Sequence, residues 1–200
     1  MTQQNLRASK NQVRLKGTIY LEPEFSHKVH NVDFNRFILK VGQNLLPCTA
    51  SGDMMPIDRI QVGQEVRLHG EIRTFNSWDI ELKQETIKAT LYVQRFTHVD
   101  PFDDSDSFDS DDNIVHIKGT VKEKSFVCAK SNQTLFTLRV NRSANKDDLI
   151  EVKVKGQNPK ITKDQELELK GKWTSVHTPL TMEEGVVKVQ HVVEAKILNG

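Results

Sequence analysis

Two hundred residues carry only two cysteines, Cys48 and Cys128. That is too few for a disulfide scaffold, and the pair matches no thiolate metal spacing, so both are expected to be free thiols of a reducing compartment. Aromatic residues make up 6% and apolar residues 36% of the chain, a lean content that predicts a modest or divided core. No apolar run approaches the roughly 18–20 residues of a membrane-spanning helix. The opening residues, MTQQNLRASKNQV, hold no apolar stretch of the kind that directs export. These absences predict a cytoplasmic protein with no membrane partner. Catalytic signatures are missing too: there is no GxxxxGK[ST] phosphate loop, no GxSxG elbow and no cysteine in a nucleophile motif. His27, His30 and Asp33 lie close together, but in an expected loop and without a fourth ligand, so no metal is expected there. Neither an enzyme nor a cofactor-binding protein is expected.

What the chain does have is a charge pattern that its net value conceals. The 28 basic and 27 acidic residues leave +1. Residues 1–99 hold 13 basic and 10 acidic residues, and residues 113–200 hold 15 and 10. Between them, DPFDDSDSFDSDD at 100–112 holds seven aspartates and no base. Its charges repel, and it has little apolar surface to offset the entropy of ordering, so it is predicted to be an acidic linker. It divides the chain into a flexible N-terminus at 1–10, a domain at 11–99 and a second domain at 113–200. Phe102 and Phe108 within the linker admit three readings: loose packing on a neighbouring domain, an acidic-aromatic docking peptide, or an acidic imitation of DNA that covers a binding face.

The two domains repeat. Asn11-Gln-Val13-Arg-Leu15-Lys-Gly17-Thr-Ile19 matches Asn113-Ile-Val115-His-Ile117-Lys-Gly119-Thr-Val121, at an offset of 102. Phe37-Ile-Leu39-Lys-Val41 matches Phe136-Thr-Leu138-Arg-Val140, and Gln64-Glu-Val66-Arg-Leu68-His-Gly70 matches Gln165-Glu-Leu167-Glu-Leu169-Lys-Gly171, at offsets of 99 and 101. Preserved order with small changes of offset is the mark of a duplicated domain. Every block alternates apolar with polar residues, the period of a half-buried strand. Further strands are expected near 45–51, 86–96, 149–155 and 186–198, about five in each domain. Gly17, Gly70, Gly119 and Gly171 fall inside strands, where each is expected to let a short strand curl. Residues 54–62 are expected to form one short turn. The fold class predicted is all-β: two tandem five-stranded OB-fold barrels joined by the acidic linker.

Several of these residues resemble a known family. Asn11-x-Val13-x-Leu15-x-Gly17-x-Ile19-x-x-x-Pro23-Glu24 is similar to the opening strand of bacterial single-stranded-DNA-binding proteins. Gly70-Glu-Ile72-Arg73-Thr74 resembles that family's fourth strand. Val140-Asn141-Arg142, with Lys146-Asp-Asp-Leu149-Ile150-x-Val152-x-Val154-x-Gly156-Gln-Asn158, resembles its second and third. The tandem arrangement is similar to duplicated single-strand-binding proteins of low-GC Gram-positive bacteria, grouped with primosome components related to primosomal replication protein N. The resemblance implies a non-catalytic protein that binds single-stranded DNA in replication, repair or transfer. It also implies replication or primosome proteins as partners, and either a homodimer with four barrels or pairing of the two barrels within one chain. Where the family carries an aromatic before the third-strand glycine, this chain has Lys155. A primosome-type adapter with little DNA affinity is therefore the alternative, and an RNA-binding module is a third reading.

Sequence-tolerant binding of single strands uses cations for phosphates and rings for bases. The outward cations expected to serve are Arg14, Lys16, Arg36, Lys40 and Arg73 in the first domain. In the second they are Lys118, Arg139, Arg142, Lys153, Lys155 and Lys172, with Lys170 beside them. The rings are Phe25, Phe75, Trp78 and Phe126, with Phe34, all placed in or near loops. Phe37, Phe136 and Trp173 fall on inward positions and are expected in the core. The second domain is thus expected to grip phosphates while the first stacks bases.

Overall fold

The structure, a computed structural model, describes residues 10–55, 60–80, 83–99, 113–123, 126–143, 145–157, 160–179 and 187–199. The acidic linker with Phe102 and Phe108, and residues 1–9, lie outside the described residues. Eleven strands and no helix are found among those described: β1 (Asn11–Val29), β2 (Val32–Val41), β3 (Asn44–Ser51), β4 (Glu65–Asp79), β5 (Gln84–His98), β6 (Asn113–Val121), β7 (Phe126–Cys128), β8 (Gln133–Ser143), β9 (Lys146–Lys155), β10 (Glu166–Pro179) and β11 (Val187–Asn199).

Alternation explains the cores. On β4 the side chains of Val66, Leu68 and Ile72 are fully buried, and on β10 those of Leu167, Leu169 and Trp173 are at most 1% exposed. Phe37 and Phe136 are buried as expected. In the first half β1 pairs with β2, β2 with β3, β3 with β5 in parallel, β5 with β4, and β4 again with β1. In the second half the same cycle runs β6, β8, β9, β11, β10 and back to β6, with β9 and β11 parallel. The three-residue β7 is an addition that pairs with β8.

Curling brings backbones together at the strand glycines. A Cβ on Gly17 would collide with the carbonyl oxygen of Lys40, and one on Gly119 with that of Arg139. Gly70 and Gly171 are pressed in the same way against the carbonyls of Tyr92 and Glu194. The repeat therefore keeps these glycines for close approach of neighbouring strands.

Strands expected to end at loops run on into hairpin arms. β1 and β2 stay paired to Val29 opposite Val32, closed by His30 and Asn31 at φ of 45° and 65°. Two consecutive residues with positive φ make the tight turn whose twist suits a hairpin. β4 and β5 stay paired out to Asp79 opposite Gln84. Phe25, Phe34, Phe75 and Trp78 therefore belong to ladders, not to loops. An exposed two-stranded arm buries neither face fully, so its sequence loses the alternation that would reveal it.

The two halves meet about a local two-fold axis. β1 runs antiparallel to β6 with Val13 opposite Val115, its own counterpart in the repeat. Asn11 pairs with Ile117 and Leu15 with Asn113, which are again mutual counterparts. The Asn11 side chain donates to the Ile72 carbonyl (2.8 Å) and accepts from the Ile72 N–H (3.1 Å). Asn113 does the same with Trp173, at 2.6 and 2.8 Å.

Flanking this ladder are two matched latches. On one side the Thr74 N–H donates to Asp148 Oδ1 (2.7 Å), and the Leu149 N–H donates to Thr74 Oγ1 (2.9 Å). On the other side the Ser175 N–H donates to Asn44 Oδ1 (3.0 Å), and the Leu45 N–H donates to Ser175 Oγ (3.3 Å). One latch thus holds a neutral amide where the other holds a carboxylate, buried at 1% exposure. Burial pushes the Asp148 carboxyl above its usual range, and that effect outweighs the Thr74 N–H and the charges of Arg142 and Arg73, which pull the other way. A carboxyl raised in the folded state gives stability that is present at low pH and lost as pH rises through its folded pKa. Asp148→Asn copies the opposite latch and removes the titration. Its melting temperature relative to the unmodified chain is expected to be most favourable near pH 7.5 and to fall back as pH drops toward 4.5. Thermal unfolding at both pH values checks this; a constant difference would mean the carboxylate titrates as it does in water.

Candidate nucleic-acid interface

Side chains opposite one another in a ladder share a face. With Phe37, Leu39 and Leu91 inside, the alternate residues Phe34, Arg36, Ile38 and Lys40 of β2 face outward, as do Thr90 and Tyr92 of β5. On β4 the outward row is Arg67, His69, Glu71, Arg73 and Phe75.

Together these residues build a layered wall on the first half. The Arg73 guanidinium lies over the Tyr92 ring, with Cζ 3.3 Å from the centroid. Tyr92 is tilted against Phe34 at 5.9 Å, and Phe34 stacks on His27 at 5.0 Å and 6°. Phe34 is thereby 8% exposed, while Phe75 at the other end is half exposed and faces the same way as Lys88. A cation on an aromatic face is held by the ring quadrupole, and more strongly where water is excluded. Arg73 also pairs with Glu71 (3.4 Å), and its Nε is buried with no partner among the described residues. Arg36 pairs with Glu24 at 2.7 Å, and Thr49, its neighbour across the β2–β3 ladder, bonds Thr90 at 3.0 Å. His27 belongs to this stack, and Asp33 pairs with Lys28 (3.2 Å).

The other sequence candidates are placed as follows. Lys40 is exposed on the same wall, opposite Leu45. Phe25 and Trp78, 57% and 60% exposed, pair with Asn35 and Glu85 on the opposite faces of their arms, away from the stack. Arg14 and Lys16 lie on β1 beside His69 and Arg67, and Lys16 pairs with Glu65 (3.7 Å). Arg142 reaches into the junction of the halves, 3.2 Å from Asp148.

In the second half the corresponding wall is differently furnished. Repeat and register place Gln133 where Phe34 stands and Glu194 where Tyr92 stands. Lys153 pairs with Glu194, and Lys118 with Glu166. Lys118 and Arg139 share a shallow cleft with Asp147 and Glu166. Lys155 and Lys172 are exposed, opposite Gln133 and Glu194. Phe126 is the ring of this wall, 67% exposed and opposite Leu135.

Sequence reasoning missed Tyr92. Its signal was present, because buried Leu91 and Val93 on either side force the residue between them outward. The two thiols are free: Cys48 is buried in the first core, where burial pushes its pKa up, and Cys128 is on β7.

No protein-family model matches the chain, and no curated protein does. Among solved structures, the wild-type single-stranded DNA binding protein of Thermus aquaticus is similar over 95% of this chain and 92% of its own, with a TM-score of 0.72 and 15% identity. A deletion mutant of that protein is similar over 96% of this chain and 95% of its own, with a TM-score of 0.73 and 13% identity. Along nearly its whole length the chain shares the fold of these single-stranded DNA binding proteins.

Proposed function

We propose that the chain is a non-catalytic single-stranded DNA-binding protein of the cytoplasm, built of two OB-fold barrels, that covers exposed strands during replication, repair or transfer. The observation that carries this reading is the stack of Arg73, Tyr92, Phe34 and His27 on one outer wall. Rings and guanidinium planes accept any base, while Arg36, Lys40, Arg73 and Lys88 supply charge for phosphates. The second half adds Phe126, Arg139, Lys155 and Lys172. A homodimer would present four such barrels. The ion pairs of Lys118 and Lys153 favour a second reading for that half, docking of replication or primosome proteins.

Titration of labelled oligothymidylate by fluorescence anisotropy tests the proposal. Binding is expected at micromolar protein near 50 mM salt, and its constant should fall with a log–log slope of about −0.7 for each phosphate engaged. Four engaged cations give a slope of about −3. Absence of saturable binding at that salt would leave the adapter reading.

A further inference from the structure

We infer that the cleft between β1, the end of β2 and the turn before β4 is a nucleobase subsite, in which one base of a bound strand lies on Tyr20 and Val62 and its phosphate on Lys40. This rests on the DNA-binding reading above and extends the path of the strand beyond the ring stack.

The cleft has a volume of about 450 Å³ and is lined by Thr18, Tyr20, Lys40 and Val62, with the backbone of Gly42 and Gly63. That volume lies in the range of small-ligand sites. Both halves fold this corner alike. In the first, the Ile19 N–H donates to the Gln64 carbonyl (2.9 Å), and the Ile19 carbonyl accepts from the Gly63 N–H (2.9 Å). In the second, the Val121 N–H donates to the Gln165 carbonyl (2.9 Å), and the Val121 carbonyl accepts from the Asp164 N–H (2.8 Å). Thr18 faces Lys40 across the β1–β2 ladder as Thr120 faces Arg139 across β6–β8.

Only the side chains differ. Lys122, Glu123 and Lys163 stand where the first half has Tyr20, Leu21 and Val62. Those three apolar residues are 45%, 52% and 51% exposed. The same backbone thus carries charged side chains at these places, so packing does not call for apolar ones. A cluster of exposed apolar groups that the core does not need marks a binding surface. The turn tells the same story. Asp164 adopts a φ of 63° where Gly63 has 86°, so the turn tolerates a side chain that the first half omits. A Cβ on Gly63 or Gly42 would meet nothing within 4 Å, which leaves the rim open to a flat ring.

Charge and continuity favour a nucleotide. Lys40 is exposed and makes no ion pair among the described residues. Glu65, opposite Thr18 on β4, is held by Lys16 at 3.7 Å. Lys40 ends the outward row of Phe34, Arg36 and Ile38, so the cleft lies about 20 Å along β2 from the ring stack. A nucleotide brings a flat face for Tyr20 and an anion for Lys40. A specific protein interface buries more than about 1,000 Å², far beyond a cleft edged by three apolar side chains, so another protein or a second copy fits poorly.

The test compares two labelled strands on the full chain by anisotropy: an oligothymidylate of about 30 nucleotides, enough for two OB folds, and an abasic strand of the same length. Tyr20→Ala is expected to weaken the oligothymidylate at least about fivefold, the loss of one stacked base. Its salt slope should not change, because no phosphate contact is removed. The abasic strand should bind it within about twofold of normal. Lys40→Gln should instead weaken both strands and make both slopes shallower by about 0.7. Tyr20→Phe should bind like the unmodified chain. Should Tyr20→Ala fold poorly, Tyr20→Lys with Val62→Lys copies the second half and should narrow the preference for the oligothymidylate over the abasic strand by the same factor. An unchanged oligothymidylate affinity in Tyr20→Ala overturns the inference. Equal weakening of both strands overturns it too, because the ring would then act through the fold or the phosphates. So does a Tyr20→Ala chain that keeps its DNA affinity but sediments as a smaller species, since a second copy would then be the occupant. If Tyr92→Ala weakens binding and Tyr20→Ala does not, the cleft falls and the wall stands. If the unmodified chain binds neither strand, the DNA-binding reading itself falls and this inference with it.

Discussion

Replacing Tyr92 with alanine is expected to weaken oligothymidylate binding by about 5- to 150-fold, the loss of about 1–3 kcal/mol that follows removal of one stacking platform. The effect should be large because Tyr92 is the central layer of its stack. Arg73 rests on it and Phe34 leans against it. Without the ring, Arg73 loses its support and Phe34 loses one neighbour. Tyr92→Phe keeps both contacts and is expected to stay within about twofold. The counterpart in the second half is Glu194, paired with Lys153. Glu194→Ala releases that lysine, so it should strengthen binding rather than weaken it. Anisotropy titrations at one salt concentration compare all three, and an alanine variant that binds like the unmodified chain would remove this wall from the DNA path.

The largest stability loss is expected at Trp173. Its side chain is 1% exposed, its backbone is clasped by Asn113, and its ring lies 5.6 Å from that of His191. His191 in turn sits 3.1 Å from the Leu45 carbonyl of the other half. Trp173→Ala therefore opens a cavity and also loosens a contact across the junction. Large-to-small changes of this kind cost about 3–5 kcal/mol. For a chain of this size each kcal/mol lowers the melting temperature by about 2–4 °C, so a fall of about 6–20 °C is expected in calorimetry. Trp173→Ile restores the residue that the first half uses at the matching position, Ile72, and should cost clearly less. Equal losses for Ala and Ile would mean that the ring's volume is not what the core depends on.

Much of this architecture could be read in advance where one face of a strand is buried. Val66, Leu68, Gly70 and Ile72 alternate because each apolar side chain enters a core, and the repeated glycines mark carbonyls that approach too closely for a Cβ. Inward placement of Phe37, Phe136 and Trp173 followed from the same period. Legibility stopped where both faces meet water. The arms of β1–β2 and β4–β5 carry no such period, so Phe25, Phe75 and Trp78 were expected in loops. Which face of an arm a ring occupies depends on register, and register separates Phe75 from Trp78. Arg142 was expected at the ligand surface on motif grounds, but its partner Asp148 faces the junction, a long-range fact that no local pattern carries. The pairing of Val13 with Val115 is of the same kind.

That pairing has a consequence for inheritance. Two identical subunits joined about an axis cannot change one member alone, because every mutation appears twice. Here both members are encoded separately in one polypeptide, and selection has been able to treat them as individuals. Asn44 against Asp148, and Tyr92 against Glu194, record that licence.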